Sequence, residues 1–338
     1  MQNKKTRILI VNVNWLGDVL FSTALIREVK KNYPESFLAC MIPGRCQGIL
    51  KGNPYLDEII IFDEKDTHKG WRKTLRFIRE LRARRFDTAI LLHRSFTRTL
   101  ICWLAGIKER IGYYTRKRAF LLTRKITVPQ GRMHRRDYYL NIIESAGLKI
   151  NERGLDFFVS REDSDYVSGL LNKERVFTDD FLVALNPGGN WAPKRWPKEY
   201  FALLADRLIK DLNAKVVISG AKQDRGLAED IASRMKARPI IAAGELNLKQ
   251  LAALFKRADL VISGDSAPLH IAAALGVPII GLFGPTSPEI TGPFSDDCII
   301  LRKDTGCQIP CYQVGCLDNR CMKAVSVEDV LAAVKKLC

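Results

Sequence analysis

The chain has 338 residues, of which 47% are hydrophobic and 27% charged, so it is long enough for two domains of ordinary globular composition. No uninterrupted apolar run approaches the roughly 18 residues that a membrane-spanning helix needs, and polar residues interrupt the first apolar run too early for a good signal peptide, which predicts a cytoplasmic protein. Lysine and arginine total 54 against 37 aspartate and glutamate residues, and the resulting net charge of +17 favours an anionic partner: nucleic acid, a phosphorylated lipid surface or a polyphosphate substrate.

The first half of the chain alternates strand-like apolar runs with segments of helical periodicity. The predicted strands cover 8–13, 37–42, 58–62 and 88–92. The predicted helices cover 18–32, 47–51 and 71–85. Pro34 supports the end of the first helix, because proline cannot continue a helix.

The second half restarts the same alternation. Its predicted strands cover 181–186, 215–220, 239–243, 260–263, 278–283 and 298–301. Its predicted helices cover 198–213, 224–235, 248–257, 266–275 and 326–337. Between 146 and 180 the alternation lapses and charge rises, which indicates a domain boundary.

This alternation predicts an α/β protein whose parallel sheets carry helices on both faces. Two series of similar length predict two Rossmann-like domains, 1–170 and 171–338, and we expect the last helix to pack back toward the N-terminal domain. Ligands of open α/β sheets bind beyond the carboxyl ends of the strands. Two facing sheets would therefore form a cleft with one substrate on each side.

Three basic clusters lie in the first half, at 71–85, 116–125 and 132–136. For any single cluster, a solvated helix face explains the charge as well as a binding surface does. Three clusters in one half favour a functional basic surface, which suits an acceptor that carries lipid phosphates or acidic sugars at a membrane.

The first segment with candidate chemistry, 14–18, follows the first predicted strand. Gly17 permits a tight turn, and Asp18 opens the helix, where a carboxylate commonly caps free amides. A carboxylate at the carboxyl end of this strand is also well placed to meet a substrate. No G-x-G-x-x-G motif occurs here, so the dinucleotide fingerprint is absent.

The second segment, 186–197, follows the first strand of the second half. Gly188 and Gly189 let backbone amides approach an anion, and Lys194 and Arg195 supply positive charge. A rigid loop rich in proline and tryptophan is the alternative. Glycines beside paired cations favour contact with a phosphate.

The third segment, 263–270, joins a strand to a helix that begins at Ser266. Free amides and the helix dipole make such a start a ready anion site. His270 lies one turn into the helix, where packing and ligand contact are equally good explanations. A fourth candidate is Glu245 after Gly244, which binds ribose hydroxyls or is merely exposed to solvent.

Four of the nine cysteines are crowded near the end of the chain, at Cys307, Cys311, Cys316 and Cys321. Four thiolates could close a tetrahedral zinc site, but zinc sites usually contain C-x2-C pairs and this spacing is looser. A loop of reduced thiols is the preferred interpretation, and a disulfide is not expected in a reducing compartment.

Three motifs in this order resemble those of the ADP-heptose:lipopolysaccharide heptosyltransferases, glycosyltransferase family 9. They are the Asn-Trp-Leu-Gly-Asp segment at 14–18, the loop at 187–197 and the Gly-Asp-Ser-Ala-Pro-Leu-His turn at 264–270. The first is most similar to that of the type II heptosyltransferases, and the cysteine-rich segment is also similar to the family. The resemblance covers about residues 8 to 330. Ala267 departs from it, since the family usually has glycine there, and Gly188-Gly189-Asn190 also differs from the commoner forms.

The resemblance implies a GT-B fold and an inverting transfer from ADP-L-glycero-β-D-manno-heptose to an inner-core lipopolysaccharide acceptor. It implies that Asp18 is the general base and that Lys194 meets the diphosphate. We expect the donor to contact Gly188, Gly189, Arg195, Glu245, Asp265, Ser266, Ala267 and His270. We expect the acceptor to contact Asn14, Gly17, Arg116, Arg118 and Arg135.

We expect no cofactor or bound metal, because Lys194 and a helix start can stabilise the leaving diphosphate. The expected partners are ADP-heptose, an anionic acceptor of the lipid A–Kdo–heptose type and the cytoplasmic face of the inner membrane, but no nucleic acid. Three alternatives remain: a family member with another nucleotide sugar or acceptor, a nucleotide-sugar epimerase, and a basic nucleic-acid-binding protein. The last has only the net charge in its favour, since no nucleic-acid-binding module is recognisable.

Overall fold

The computed structural model describes residues 5–64 and 66–337. The first four residues, which entered the expectation about a signal peptide, lie outside the described residues, as do Lys65 and Cys338. The chain divides into two compact units between Phe158 and Val159. Each unit is built on one six-stranded parallel sheet, which confirms the predicted α/β class with two Rossmann-like sheets.

The first sheet has the strand order β3-β2-β1-β4-β5-β6. Its strands are β1 (Arg7–Val11), β2 (Phe37–Ile42), β3 (Glu58–Ile61), β4 (Thr88–Leu91), β5 (Glu109–Tyr113) and β6 (Arg124–Ile126). Strand β1 lies in the centre of the sheet and is apolar along nearly its whole length, and its residues Leu9, Ile10 and Val11 are completely buried. Burial on both faces is typical of a parallel sheet covered by helices.

Six α-helices among the described residues of this unit accompany the sheet. They are α1 (Leu16–Phe21), α2 (Thr23–Asn32), α3 (Gln47–Leu50), α4 (Trp71–Ala83), α5 (Phe96–Leu104) and α6 (Arg135–Glu144). Helices α4 and α5 pack together and share a core with the sheet through Phe77, Leu81 and Ile101. Helix α6 packs on α1 and α2.

The second sheet has the strand order β12-β11-β10-β7-β8-β9, the same order as the first when each sheet is counted from its own first strand. Its strands are β7 (Leu182–Asn186), β8 (Lys215–Ile218), β9 (Ile240–Ile241), β10 (Leu260–Gly264), β11 (Ile279–Leu282) and β12 (Cys298–Leu301). The two central strands, β7 and β10, are buried throughout, as apolar runs between helix layers should be.

Within residues 159–337, eight α-helices belong to the second unit. They are α7 (Arg161–Lys173), α8 (Lys198–Leu212), α9 (Arg225–Arg234), α10 (Leu248–Arg257), α11 (Ala267–Ala274), α12 (Pro288–Thr291), α13 (Arg320–Lys323) and α14 (Val327–Leu337). Helix α14 packs on α8 within this unit and completely buries Val330 and Val334, while its expected return toward the first unit stays a prediction. None of the described helices is long and apolar enough to cross a membrane.

The predicted strands are all present, but two strands and several helices were missed. Strands β5 and β6 lie beside or within the second basic cluster, and their sequences, Glu-Arg-Ile-Gly-Tyr and Arg-Lys-Ile, do not show a simple apolar run. Arg110 of β5 is buried, and its guanidinium donates to the carbonyl oxygen of Leu121 at 2.6 Å. A charged residue whose hydrogen bonds are made inside the protein interrupts the apolar pattern of a strand, so hydropathy alone does not reveal that strand.

The helix predicted over 18–32 is two helices, because Ser22 interrupts it. The Ser22 hydroxyl donates to the carbonyl oxygen of Val19 at 2.6 Å and accepts a hydrogen bond from Asn12 Nδ2 at 2.7 Å. A serine that bonds to backbone groups competes with regular helix geometry. The break separates the short α1, which carries Asp18, from α2.

The predicted domain boundary at 170/171 falls inside helix α7, which packs on α10 of the second unit. Ser160 and Asp163 cap this helix reciprocally, so its start is well defined at the unit boundary. Its sequence is strongly charged, and Val167 and Leu171 are its only buried residues. This sparse apolar pattern explains why the boundary was expected later.

In both sheets the strand order reverses next to the central strand, between β1 and β4 in the first and between β7 and β10 in the second. The crevice beyond the carboxyl ends of such strands is where open α/β sheets bind ligands. The three motif segments follow β1, β7 and β10, so each lies at one of these two positions.

Candidate active site

Asp18 lies in the first turn of α1, just beyond the carboxyl end of β1, and both it and Gly17 are half-buried. The Tyr139 hydroxyl on α6 donates a hydrogen bond of 2.8 Å to Asp18 Oδ1. Burial and, next, the negative charge of Asp18 raise the pKa of Tyr139 well above its usual range, so the phenol keeps its proton. A neutral donor therefore orients the Asp18 carboxylate without cancelling its charge.

Asn14, which we predicted to contact the acceptor, is engaged within the fold. Arg98 Nη2 donates to Asn14 Oδ1 at 2.7 Å, and Asn14 Nδ2 lies 3.2 Å from His93 Nε2. Arg98 is buried on α5 and also donates to the carbonyl oxygen of Asn12 at 2.7 Å. These contacts fix the loop that leads from β1 to α1, so Asn14 shapes the position of Asp18.

His93 and Arg98 belong to this site although the sequence analysis did not single them out. His93 follows β4, the strand beside β1, and burial together with the positive charge of Arg98 lowers its pKa to about 4. The imidazole is therefore neutral near pH 7. Its place directly after a predicted strand was the one available signal for it.

The structure contradicts the predicted role of Arg118 as a contact for the acceptor. The side chain is completely buried, and its guanidinium donates to the carbonyl oxygens of His93 at 2.6 Å and Tyr113 at 2.7 Å. Burial and the positive charge of the nearby Arg94 lower the pKa of Arg118 to about 10, so the guanidinium stays charged at neutral pH. It hydrogen-bonds to groups inside the protein. Its hydrogen bonds tie the segment after β5 to the segment after β4.

The other two predicted acceptor arginines are exposed. Arg116 lies in the loop after β5, and Arg135 is the first residue of α6, one turn before Tyr139. The Arg135 guanidinium lies 5.9 Å from the centre of the Tyr138 ring. Both cations are available to an anionic ligand, and Arg135 is on α6, the helix whose Tyr139 donates to Asp18.

In the second unit, the loop after β7 and the turn after β10 meet in an ion pair. Lys194 Nζ lies 2.8 Å from Asp265 Oδ2 and 3.4 Å from the Asp265 carbonyl oxygen. His270 Nε2 lies 3.4 Å from Asp265 Oδ1, and the Thr291 hydroxyl lies 3.4 Å from Oδ2. The structure thus brings together the predicted residues Lys194, Asp265 and His270.

The electrostatics of this cluster place a fixed charge pair at the sheet edge. Burial by itself would raise the pKa of Asp265, but the His270 hydrogen bond and the charge of Lys194 hold that pKa well below its usual range. Lys194 keeps 23% of its side-chain surface exposed. An ammonium has three donor hydrogens, so Lys194 can remain on Asp265 and still donate to a ligand.

Packing within the second unit constrains the loop that contains Gly188 and Gly189. A Cβ atom on Gly188 would lie 2.6 Å from Asp224 Oδ2, which only glycine avoids. Arg195 donates to the Gly189 carbonyl oxygen through Nε at 2.9 Å and Nη2 at 2.7 Å, and Nη2 lies 4.0 Å from Asp224. Arg195 therefore holds the loop closed, whereas Gly189 has open space beside it.

Helix α11 begins at Ala267, after Ser266 at its cap, and both residues are half-buried. The Ser266 hydroxyl lies 3.3 Å from the Ser263 hydroxyl and does not cap the helix amides. Pro268 has no amide hydrogen and the Leu269 amide donates to the Ser266 carbonyl oxygen at 3.1 Å, so of the first three positions of α11 the Ala267 amide is the one available to a ligand or to solvent.

Glu245 occupies an exposed turn after β9, which Gly244 enters with a positive φ of 82°. Its carboxylate lies 3.4 Å from Arg225 Nη1. The structure shows no contact between Glu245 and the Lys194–Asp265 pair among the described residues. The predicted ribose contact therefore depends on where the ligand lies.

The four crowded cysteines differ in exposure: Cys307 is exposed, Cys311 and Cys316 are half-buried, and Cys321 is buried. Across residues 5–64 and 66–337, no group of three or more His, Cys, Asp or Glu side chains is arranged to hold a metal ion. The described geometry therefore does not support the zinc alternative.

Comparison with known proteins agrees with these motifs. The model of glycosyltransferase family 9 (heptosyltransferase) matches residues 74–320. Lipopolysaccharide heptosyltransferase 2 of Salmonella typhimurium is 28% identical over 320 residues, which cover 89% of each protein. The solved structure of a family 9 glycosyl transferase from Veillonella parvula has a TM-score of 0.91, is 27% identical, and matches 100% of this chain and 98% of its own. The solved structure of E. coli ADP-heptose lps heptosyltransferase II has a TM-score of 0.81 and is 24% identical, and the match covers 98% of each chain.

Proposed function

The chain belongs to glycosyltransferase family 9, the heptosyltransferases, and from this premise we propose that it transfers L-glycero-D-manno-heptose from ADP-heptose to the inner core of lipopolysaccharide. It is a glycosyltransferase with a GT-B fold, as its solved relatives are. The name of the Salmonella relative supports the sugar and the class of acceptor. The three motifs support the donor nucleotide.

The observation that carries this proposal is the Lys194–Asp265–His270 cluster at the carboxyl edge of β7 and β10. Negative charge grows on the diphosphate as the bond to the sugar breaks, and a cation aimed at it stabilises the transition state more than the ground state. Asp265 anchors Lys194 at 2.8 Å, so the cation is oriented before the donor binds. The N-terminus of α11, with the Ala267 amide and the helix dipole, adds a second source of positive potential.

On the acceptor side, the proposed general base is Asp18. An inverting transfer needs one group to take the proton of the acceptor hydroxyl as that oxygen attacks the sugar. The half-buried carboxylate that Tyr139 orients suits this step. We propose that the exposed Arg116 and Arg135 attract the anionic acceptor, and that the protein works in peripheral contact with the membrane that carries this acceptor.

The role of Tyr139 gives a prediction of moderate size. Tyr139→Phe should lower kcat about 5-fold with the donor KM nearly unchanged, because one neutral hydrogen bond to Asp18 contributes about 1 kcal/mol. Steady-state kinetics with varied ADP-heptose will measure both constants. Tyr138→Phe on the same helix is the matched control, and an equal loss in both variants would contradict a specific role for Tyr139.

Chelation gives a second prediction. EDTA should leave most of the transfer activity intact, because Lys194 and the N-terminus of α11 supply the positive potential that a divalent metal supplies in other transferases. The measurement is the initial rate with and without EDTA. Complete loss that Mg²⁺ restores would contradict the proposal, and loss that only Zn²⁺ restores would assign a metal to the four cysteines.

Mass spectrometry of the reaction product tests the function as a whole. Purified protein is incubated with ADP-heptose and a set of defined truncated lipopolysaccharides, and one acceptor should gain a single heptosyl unit. ADP-glucose and UDP-sugars serve as competing donors. Transfer from one of these, with none from ADP-heptose, would establish the alternative of a family member with another donor.

A further inference from the structure

Large apolar side chains are exposed on the neighbouring helices α4 and α5 and on the segment that follows β5. Exposed fractions are 69% for Trp71, 42% for Leu75, 40% for Phe96, 50% for Trp103 and 74% for Phe120 in the loop that follows β5. We call these five residues the outer apolar patch. Exposed apolar side chains that cluster usually mark a surface that binds something.

Within each helix the exposed apolar residues lie one or two turns apart. Phe77, Ile78 and Leu81 form the buried side of α4, whereas Trp71 and Leu75, one turn apart at its start, are exposed. On α5, Phe96 and Trp103 are two turns apart and so share one outward stripe.

Two contacts join the parts of the patch. Arg82 Nη2 near the end of α4 donates to the carbonyl oxygen of Leu104 at the end of α5 at 2.7 Å, which ties the two helices side by side. The ring of Phe120 lies 6.2 Å from that of Phe96, centre to centre. The outer apolar patch therefore lies on two neighbouring helices of the first unit and on the segment whose Phe120 ring meets the start of the second helix.

Positive charge surrounds this patch. The exposed cations on α4 are Arg72, Lys73, Arg76, Arg79 and Arg82. Arg116 and Lys117 precede Phe120 and are also exposed. The acidic residue on α4, Glu80, is paired with Arg76 at 3.1 Å, so it offsets only one of these charges.

We propose that the outer apolar patch and its ring of cations form a docking surface for an anionic lipid bilayer. Tryptophan and phenylalanine insert at the boundary between headgroups and acyl chains, while arginine and lysine beside them attract acidic headgroups. Charge complementarity selects this occupant over a second copy of the chain, because a symmetric contact would bring the same cluster of cations against itself.

The position of the patch also suits a lipid-linked acceptor, and this step rests on the proposed function. Trp71 and Phe96 begin their helices, and a helix that follows a parallel strand begins at the carboxyl edge of the sheet. Asp18 lies at the same edge, after β1. A bilayer against the patch would hold an acceptor headgroup near the edge of the sheet where Asp18 stands.

Vesicle co-sedimentation tests the surface directly and needs no catalysis. The full chain is mixed with vesicles of phosphatidylcholine alone or of phosphatidylcholine with phosphatidylglycerol, and we expect strong binding only to the anionic vesicles. The variant Trp71→Ser/Phe120→Ser and the variant Arg72→Gln/Lys73→Gln/Arg79→Gln should each lower the vesicle partition coefficient about 10-fold or more. Added salt should weaken binding further.

Matched controls lie on the second unit, where Phe177→Ser removes an exposed aromatic ring and Lys210→Gln/Lys256→Gln/Lys335→Gln removes three exposed charges. These controls should bind anionic vesicles like the parent. Thermal unfolding of every variant checks that the fold is intact. Patch variants that bind as the parent does, or a parent that binds neutral vesicles equally well, would overturn the proposal.

Two further measurements separate other outcomes. Light scattering that shows a dimer lost in the Trp71→Ser/Phe120→Ser variant, with no vesicle binding by the parent, would assign the patch to self-association and overturn the proposal. Binding of the parent to an oligonucleotide but not to anionic vesicles would overturn it in favour of nucleic acid. Transfer to a water-soluble truncated acceptor should be equal in parent and patch variants, so a failure of the proposed chemistry would appear there while vesicle binding persists.

Discussion

Replacement of Asp18 by asparagine should lower kcat by about 10²–10⁴-fold, the usual contribution of a general base, while donor affinity stays within a few-fold. Asparagine keeps the shape of the side chain and can still accept the hydrogen bond from Tyr139 through its amide oxygen. It cannot take a proton from the acceptor hydroxyl. The loss should therefore appear in turnover rather than in donor binding.

The experiment is steady-state kinetics of Asp18→Asn with varied ADP-heptose at a fixed acceptor, combined with calorimetric binding of ADP. Asp179→Asn, which changes an exposed carboxylate in the loop before β7, is the matched control. A carboxylate that only stabilises the start of a helix contributes about 0.3–1 kcal/mol to stability and nothing to turnover. Near-normal turnover of Asp18→Asn with a small loss of stability would therefore contradict the role of general base and show that Asp18 only stabilises the start of α1.

Replacement of Lys194 by alanine should lower kcat/KM for the donor by about 10²-fold or more, with both constants affected. The cation interacts with the charge already present on the diphosphate and with the charge that develops as the sugar departs. Loss of the first interaction raises KM, and loss of the second lowers kcat. Lys194→Arg should recover only part of the rate, because a planar guanidinium does not replace a compact ammonium at the same reach.

The ion pair with Asp265 adds a stability effect that must be measured alongside. Lys194 is one of the groups that keep the pKa of the buried Asp265 low, and its removal leaves that carboxylate with fewer partners. A depressed carboxyl pKa stabilises the folded state above the unfolded pKa of about 3.9, and this contribution disappears as pH falls through the folded pKa. Lys194→Ala should therefore destabilise the protein at pH 7 by about 1–3 kcal/mol and by progressively less in acid.

Urea unfolding of parent and Lys194→Ala across this pH range checks the stability effect, and kinetics are then compared under conditions where both are folded. Lys210→Ala on α8 is an exposed lysine for control. If Lys194→Ala binds ADP normally and its turnover stays within about 3-fold of the parent, a scale that surface substitutions commonly reach, then the phosphate role of this loop is wrong.

The periodicity of the sequence was sufficient to predict two α/β units, because buried parallel strands are apolar along their length and stand out between amphipathic helices. It placed Asp18, Lys194 and Asp265 in the segments that follow strands β1, β7 and β10, since the order of residues along the chain fixes which segment follows a strand. In parallel sheets that position is also the binding edge, so candidate residues could be named without coordinates.

Only the tertiary structure decided which side chains meet across that edge. Tyr139 contacts Asp18 although 121 residues separate them, and Lys194 contacts Asp265 across 71 residues. The first pair depends on the packing of α6 on α1, and the second on the strand order, in which β7 lies beside β10; local periodicity does not contain either arrangement.

The tertiary structure also determined which charged residues are buried and which are exposed. Arg116 and Arg118 look equivalent in a basic cluster, but Arg118 is completely buried and Arg116 is exposed. A guanidinium can be buried where several carbonyl oxygens converge on it, and here the His93 and Tyr113 carbonyls do so. Because those oxygens come from separate segments of the backbone, their convergence is a property of the folded chain and not of the residues around Arg118 in sequence.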